Sequence, residues 1–164
     1  MAENRKTKRI LGIFHLLNRR NEASFKEVTD IKSVSKKTVY RDICILRQIG
    51  YQIEYVKKAG AFVMLPGKKL PNYPENMTRR RYLKKISRLT NMMNNMDGAA
   101  DPAEWYREKY PELSARTMQR DFKTLTSIGY EVNYMRGVDE RGELPAYRYY
   151  CVFPGSIDDI YAPC

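Results

Sequence analysis

Hydrogen-bond donors recur at helical spacing in two stretches of this sequence, and they are the residues with the clearest chemistry. The first stretch carries Lys37, Tyr40 and Arg41, whose spacing of three and one places them on one side of a helix. Side chains of these types bind phosphate oxygens and the edges of bases in a DNA groove. The corresponding set in the second stretch is Arg116, Gln119, Arg120 and Lys123. Nucleic acid is therefore the first partner to consider.

The sequence shows no arrangement typical of a catalytic or metal site. The single histidine, His15, lies beside an apolar helical stripe without an arguable nucleophile or carboxylate partner, so we expect a half-buried structural residue. Three cysteines, Cys44, Cys151 and Cys164, follow no metal-ligand spacing, which favours reduced thiols in a cytosolic protein. A Gly-rich phosphate loop is also missing. We therefore expect a protein that is not an enzyme and that uses neither a metal nor another cofactor.

Both donor sets belong to a segment that the chain writes twice. Residues 35–56 (SKKTVYRDICILRQIGYQIEYV) align without a gap with residues 114–135 (SARTMQRDFKTLTSIGYEVNYM), 79 positions later. Nine of the 22 aligned positions are identical, and these include an Arg–Asp pair in each copy. We infer a duplicated unit, although two copies are too few for a solenoid, which needs at least about three stacked repeats.

Each copy is predicted to be a helix followed by a strand. Ser35 and Ser114 stand where an N-cap side chain accepts a hydrogen bond from the first helical turn. Apolar residues then recur at spacings of four and three, which places them on one helical face. Gly50 and Gly129 follow the last apolar residue, where a left-handed residue ends a helix. Alternation over 51–56 is typical of a strand.

The pattern S-x-x-T-x-x-R-D-x-x-x-L-x-x-x-G-Y, followed by a strand and GAFVMLPG, resembles the winged helix-turn-helix of DeoR-like and WYL-type bacterial transcription regulators. The resemblance covers about residues 5–66 and, more loosely, residues 79–154. It implies that the helix beginning at Ser35 is the recognition helix and that the next two strands form the wing. Such regulators usually carry a ligand-sensing domain, and here a second winged unit stands in its place.

The expected fold class is α+β, mainly α, with two tandem winged helix-turn-helix domains. We predict a basic domain 1 at residues 1–66, a Pro-rich linker at 67–78, domain 2 at 79–155 and an acidic tail at 156–164. The net charge of +11 is uneven, because residues 1–70 hold 16 basic and 6 acidic residues whereas residues 71–164 hold 14 and 13. A basic surplus in one domain indicates a polyanionic partner, with nucleic acid first.

The flanking segments predict further helices. One covers residues 5–20, and Ser24 with Glu27 forms a capping box for a second, shorter helix. Thr78 is predicted to cap a helix over 79–96 whose narrow Met-rich stripe is either core or the seam of a dimer.

Several predicted DNA contacts have a competing structural interpretation. Lys57 and Lys58, at the tip of the first wing, either reach phosphates or a minor groove or belong to a solvated turn. Arg41 either contacts DNA or braces the fold with an aspartate, and Asp42 is expected to orient a neighbouring Arg or Lys. The predicted DNA-binding residues are Ser35, Lys36, Lys37, Thr38, Tyr40, Arg41, Lys57, Lys58, Arg116, Thr117, Gln119, Arg120 and Lys123.

Three functions fit these patterns. The favoured one is a sequence-specific, double-stranded DNA-binding regulator of transcription whose first unit dominates affinity. The others are a plasmid or phage replication or recombination protein and an adaptor whose winged units bind protein. A homodimer is a further expected arrangement, whereas no small-molecule ligand is evident. The sequence has no run of about 18 apolar residues and no signal peptide, so we expect a cytoplasmic, nucleoid-associated protein without a membrane partner.

Overall fold

The computed structural model divides the chain into two compact units, Met1–Thr90 and Asn91–Cys164, called here the first and second units. It describes residues 2–31, 33–96, 102–138 and 145–152, and side chains within residues 4–31, 33–96 and 102–130. The expected α+β class is confirmed, because the described residues are mainly helical and include a small three-stranded sheet. The domain extents of 1–66 and 79–155 stay predictions.

The first unit contains three helices, an antiparallel sheet and the start of a fourth helix. Its elements are α1 (Ala2–Arg20), β1 (Glu22–Ser24), α2 (Phe25–Asp30), α3 (Lys36–Gln48), β2 (Tyr51–Val56), β3 (Ala61–Lys68) and α4 (Met77–Asn95), which continues into the second unit. The strand order is β1-β3-β2. The sequence did not predict β1, because three residues are too few to show alternation; β1 forms by pairing with residues 61–63 of β3.

Side-chain caps define where α2 and α3 begin. Ser24 Oγ accepts a hydrogen bond from the backbone of Glu27 at 3.2 Å, and the Glu27 carboxylate accepts one from the Ser24 backbone at 2.8 Å. This is the predicted capping box. Ser35 Oγ accepts a bond from the Thr38 backbone at 3.3 Å, which confirms Ser35 as the N-cap of α3. Both caps give the first-turn amides a partner.

The core of the first unit joins α1, α3 and the sheet. Its members include Ile10, Phe14 and Leu17 of α1, Val39, Ile43 and Leu46 of α3, Ile53 of β2 and Phe62 of β3, all buried. Burying one large aliphatic or aromatic side chain stabilises a fold by about 1.5–3 kcal/mol. One face of α3 therefore packs in the core, and the opposite face is exposed on the surface.

The segment between α3 and α4 is attached to the end of α3. Gly50 adopts φ +107°, the left-handed conformation predicted for the end of the helix, and its carbonyl accepts a hydrogen bond from the Lys69 backbone at 2.8 Å. The Asn72 backbone donates to the Gln48 carbonyl, also at 2.8 Å. The predicted linker at 67–78 is thus partly strand, because β3 continues to Lys68.

The start of α4 differs from the prediction. The helix begins at Met77, and the Asn76 side-chain oxygen accepts a hydrogen bond from the Arg79 backbone at 2.9 Å. The expected cap at Thr78 was therefore wrong, because Asn76 lies three residues before the amide that it satisfies. The apolar stripe of α4, formed by Leu83, Ile86, Leu89 and Met93, is buried within the chain, as is Met96 just after the helix. The stripe is therefore core rather than an open dimer seam.

The described part of the second unit contains two further helices and a pair of strands. Its elements are α5 (Pro102–Lys109), α6 (Ala115–Thr126), β4 (Glu131–Val138) and β5 (Pro145–Val152), with β4 antiparallel to β5. Ser114 Oγ accepts a hydrogen bond from the Thr117 backbone at 3.3 Å, which confirms the predicted cap, and Gly129 adopts φ +101°. Residues 139–144 of the predicted second wing and the acidic tail at 156–164 lie outside the described residues.

Candidate nucleic-acid interface

The outward face of α3 carries cationic and aromatic donors. Lys36, Lys37, Tyr40 and Arg41 are exposed, whereas the intervening apolar side chains enter the core. The helical repeat of 3.6 residues produces this separation, because positions three or four apart share a face. The structure therefore brings Lys37, Tyr40 and Arg41 together on one exposed surface, as their spacing predicts.

The one acidic residue of α3, Asp42, is turned into the core. It is 1% exposed and forms a bidentate ion pair with Arg9 of α1, through Nε and through Nη2, the latter 3.2 Å from Oδ1. The two-pronged geometry satisfies both carboxylate oxygens. The Arg–Asp brace considered for Arg41 does exist, but its cation is Arg9. Arg41 is left on the exposed face.

At the N-terminus of α3, two hydroxyl groups already bind each other. Ser35 Oγ and Thr38 Oγ1 are 3.0 Å apart, in addition to the capping bond from the Thr38 backbone. Ser35 is exposed and Thr38 half-buried. These two side chains thus stabilise the first turn of α3. A phosphate at this end of the helix would lie beside their hydroxyl groups and near the positive end of the helix dipole.

Tyr40 has a packing role that the sequence did not predict. Its ring centroid lies 5.8 Å from those of Phe25 and Phe62 and 6.4 Å from that of Tyr55. The side chain nevertheless stays 44% exposed. Aromatic clusters of this kind favour tilted or edge-on contacts. Tyr40 therefore fixes α3 against α2 and the sheet and still presents part of its ring outward.

The first wing consists of β2, β3 and their connecting turn. Lys57 and Lys58 in this turn are exposed, and the Gly60 backbone donates to the Lys57 carbonyl at 3.2 Å. The Phe25 backbone donates to the Gly60 carbonyl at 2.9 Å, which attaches the wing to the start of α2. The wing is thus an ordered hairpin with two outward cations.

A broad groove separates α3 from the first half of α4, called here the α3–α4 groove. It has a volume of about 1330 Å³, and all its lining residues belong to the first unit. Six cations line it, namely Lys6, Lys37, Arg41, Arg79, Arg81 and Lys85. Sequence reasoning had not placed the basic start of α4 beside α3, and Lys6 gave no distinguishing signal. Among the described residues, no acidic side chain lines this groove.

The residues predicted in the second unit also lie on an outward face. Arg116, Gln119, Arg120 and Lys123 are exposed, and Thr117 is half-buried with its hydroxyl 3.1 Å from that of Ser114. The neighbouring Asp121 is 2% exposed and accepts a hydrogen bond from the Tyr106 hydroxyl at 2.7 Å. Here too the aspartate of the Arg–Asp pair faces inward.

Of the remaining candidate residues, Cys44 lines the α3–α4 groove, whereas His15 is buried. His15 is fully buried rather than half-buried, and burial, followed by the positive charge of Arg19, lowers its pKa. Cys44 is an exposed free thiol. Within the described part of the chain, no cluster of His, Cys, Asp and Glu could hold a metal ion. The described helices are also too short or too polar to cross a membrane.

Comparison with known proteins gives one match. The HTH_11 family model, described as an HTH domain, matches residues 9–61. No curated protein and no solved structure shows a significant match to the chain. The matched range begins at the arginine that pairs with Asp42, includes α2 and α3, and ends at the first residue of β3. An HTH_11 domain is therefore present at residues 9–61, and this match supports a helix-turn-helix that binds DNA.

Proposed function

We propose that the chain is a sequence-specific, double-stranded DNA-binding regulator of transcription, of the DeoR-like or WYL-type bacterial kind. In this proposal α3 enters the major groove, where each base pair shows a distinct pattern of donors and acceptors. Lys37, Tyr40 and Arg41 face base edges and phosphates, and Lys57 and Lys58 of the first wing contact the backbone beside them.

One observation carries the proposal. The exposed face of α3 presents donors, while the only carboxylate of this helix is buried and paired with Arg9. A carboxylate on that face would repel phosphate, so its removal into the core leaves a surface suited to a polyanion. The helix-turn-helix match over 9–61 supports the same assignment.

The net charges of the two compact units indicate that they contribute unequally to DNA binding. The first unit holds 22 basic and 7 acidic residues, a net charge of +15, whereas the second holds 8 and 12, a net charge of −4. Non-specific affinity grows with the number of phosphates neutralised. We therefore propose that the first unit supplies most of the DNA affinity. The second, a duplicated winged unit, reads an adjacent site or mediates assembly, and its negative charge favours assembly.

Selection of binding sites from random duplex DNA at about 0.15 M salt tests the proposal directly. We expect an enriched motif, since base contacts in the major groove specify sequence. Two spaced half-sites about 34 Å apart would indicate two readers, either both units of one chain or the first units of a homodimer. Iterated sites would favour the replication or recombination alternative. Binding without any motif, lost as salt rises, would contradict sequence-specific recognition.

Arg41→Gln and Arg120→Gln are a matched pair for the same test. If Arg41 reads a base, its loss should weaken binding to the selected site by about 5- to 150-fold, which corresponds to about 1–3 kcal/mol, and relax specificity at one position. Arg120→Gln should change affinity far less. If the two substitutions weaken binding equally, both units read DNA. If Arg41→Gln leaves binding unchanged, α3 is not the helix that reads the site.

A further inference from the structure

The first half of α4 is the feature that the proposed function leaves unused. Arg79, Arg81 and Lys85 of α4 line the α3–α4 groove, opposite Lys37 and Arg41 of α3. These five side chains and Lys6 make the groove cationic on both sides, and none of its described lining residues is acidic. A groove with walls of one charge sign concentrates the field between them and attracts a ligand of opposite sign.

Contacts within the first unit hold the α4 wall against the rest of the unit. Arg79 Nη2 donates to Gln48 Oε1 at 3.2 Å, which connects the first turn of α4 to the last residue of α3. On the other side, Lys6 Nζ lies 4.9 Å from the centroid of the Tyr82 ring, within the range of a cation–π interaction. The separation of the two walls is therefore set by the folded unit before any ligand binds.

If α3 binds in the major groove of DNA, the ligand that best fits the α3–α4 groove is a phosphodiester strand. When a helix lies in the major groove, the phosphodiester strands that border this groove pass on either side of it. The exposed face of α3 is one wall of the α3–α4 groove, so a strand beside α3 lies between α3 and α4. Arginine and lysine are the side chains that most often bind phosphate in protein–DNA complexes.

We propose that the α3–α4 groove holds one phosphodiester strand of the duplex that α3 reads, with Arg81 and Lys85 of α4 as phosphate-binding residues. This inference rests on the proposed function, because it requires duplex DNA at α3. It adds a second wall to the interface, formed by a helix that lies beyond the matched helix-turn-helix domain. Phosphate contacts position a protein on DNA and carry no base preference.

The α4 helix itself offers a matched control for the test. Arg81→Gln/Lys85→Gln removes one arginine and one lysine, four residues apart, from the groove. Arg80→Gln/Lys84→Gln removes the same two residue types at the same spacing from exposed positions outside the groove lining. Both double variants lower the net charge by two and keep the helix length. They differ in the face of α4 that loses its cations.

The readout is the salt dependence of binding to the full chain, with a selected duplex and a random duplex as ligands. Each phosphate contact contributes about 0.9 to the slope of log affinity against log salt. We expect Arg81→Gln/Lys85→Gln to reduce this slope by about 2 and to weaken both duplexes by the same factor. The control double variant should change the slope by less than half of the value, about 0.9, that one phosphate contact contributes.

Three outcomes would overturn the inference. These are an unchanged slope in Arg81→Gln/Lys85→Gln, equal slope changes in the two double variants, and a loss of affinity confined to the selected duplex, which would indicate base contacts instead of phosphate contacts. Arg41→Gln separates such a failure from failure of the proposed function. If that variant still loses binding to the selected duplex, α3 reads DNA and only the second wall is wrong. If it retains binding, the proposed function fails as well.

Discussion

Two buried aspartates, one in each unit, occupy corresponding positions in the repeated segment but have different partners. Asp42 pairs with the guanidinium of Arg9, a residue 33 positions earlier, whereas Asp121 accepts a hydrogen bond from the neutral hydroxyl of Tyr106, 15 positions earlier. Both carboxylates enter the core, and the preceding arginines, Arg41 and Arg120, are exposed. The shared Arg–Asp dipeptide therefore combines an inner structural anchor with an outer residue available for binding.

The difference in partner changes the electrostatics of each unit. Arg9 neutralises Asp42, so the first unit gains a helix-to-helix ion pair and keeps its exposed cations for a ligand. Tyr106 donates a hydrogen bond to Asp121 and brings no positive charge, and the second unit has a net charge of −4. The two units differ in net charge, +15 against −4, although the segments that carry the two aspartates are similar in sequence.

Asp42→Asn should cause the largest loss of stability. The substitution removes the negative charge but leaves Arg9, whose side chain is 15% exposed, with little water to compensate it. Breaking a buried ion pair on one side costs about 3–5 kcal/mol, and we expect about 3 kcal/mol here because Arg9 keeps some solvent contact. Chemical denaturation followed by circular dichroism measures the change. A loss below about 1 kcal/mol would show that the ion pair is not a brace.

Asp121→Asn is the matched control in the second unit. Its amide oxygen can still accept the hydrogen bond of the Tyr106 hydroxyl, so this bond loses its charge assistance but is not broken. We expect a loss of about 1 kcal/mol, detected through fluorescence of the single tryptophan, Trp105, on the helix that carries Tyr106. Equal losses in Asp42→Asn and Asp121→Asn would remove the distinction between the two anchors.

Gly50→Ala should cause the second largest effect, because this residue connects α3 to the segment that leads to α4. A Cβ atom at Gly50 would lie 2.3 Å from the Lys69 carbonyl oxygen, and the backbone has φ +107°. Left-handed backbone alone costs about 1–2 kcal/mol for a residue with a Cβ, so we expect a total of at least about 2 kcal/mol. Thermal and chemical unfolding measure this change.

Gly60→Ala separates strain from crowding in that experiment. Gly60 also has a positive φ, +61°, but a Cβ atom there would meet no atom within 4 Å. Its replacement should therefore cost only the backbone component, about 1 kcal/mol. If the two alanine variants were equally unstable, the close approach between Gly50 and Lys69 would not contribute.

The smallest expected effect is a pH dependence confined to the first unit. Burial and the charge of Arg19 lower the pKa of His15 in the folded protein below its usual value of about 6.5. This stabilising contribution is complete above about pH 6.5 and is lost as the pH falls towards the folded pKa, because the unfolded chain binds a proton that the folded chain excludes.

His15→Gln isolates that contribution, since the chain has one histidine. We expect the free energy of unfolding of the natural chain to fall more steeply than that of His15→Gln between about pH 7 and about pH 5. Parallel curves for the two proteins would contradict the lowered pKa. Trp105 fluorescence, which reports on the second unit, should show a smaller pH effect than circular dichroism.

Local signals predicted several helix ends in both units. Ser24, Ser35 and Ser114 are caps as expected, and Gly50 and Gly129 are left-handed, because each of these roles depends on a few consecutive residues. The cap of α4 was wrong by two residues, since both Asn76 and Thr78 are good caps and only the folded backbone chooses between them. Strand β1 was not predicted, because it forms by pairing with residues of β3 that are far away in the sequence.

The amino-acid sequence by itself determined the repeated segment, the helical faces and the excess of positive charge in the N-terminal part of the chain. These properties follow from residue type and from periods of two and 3.6 residues, which need no knowledge of distant partners. Tertiary structure alone decided that Asp42 pairs with Arg9, that Tyr40 joins an aromatic cluster, and that α4 forms a second cationic wall beside α3. Ion pairs, ring contacts and grooves depend on which surfaces the core brings together, and residues up to 79 positions apart, such as Lys6 and Lys85, meet there.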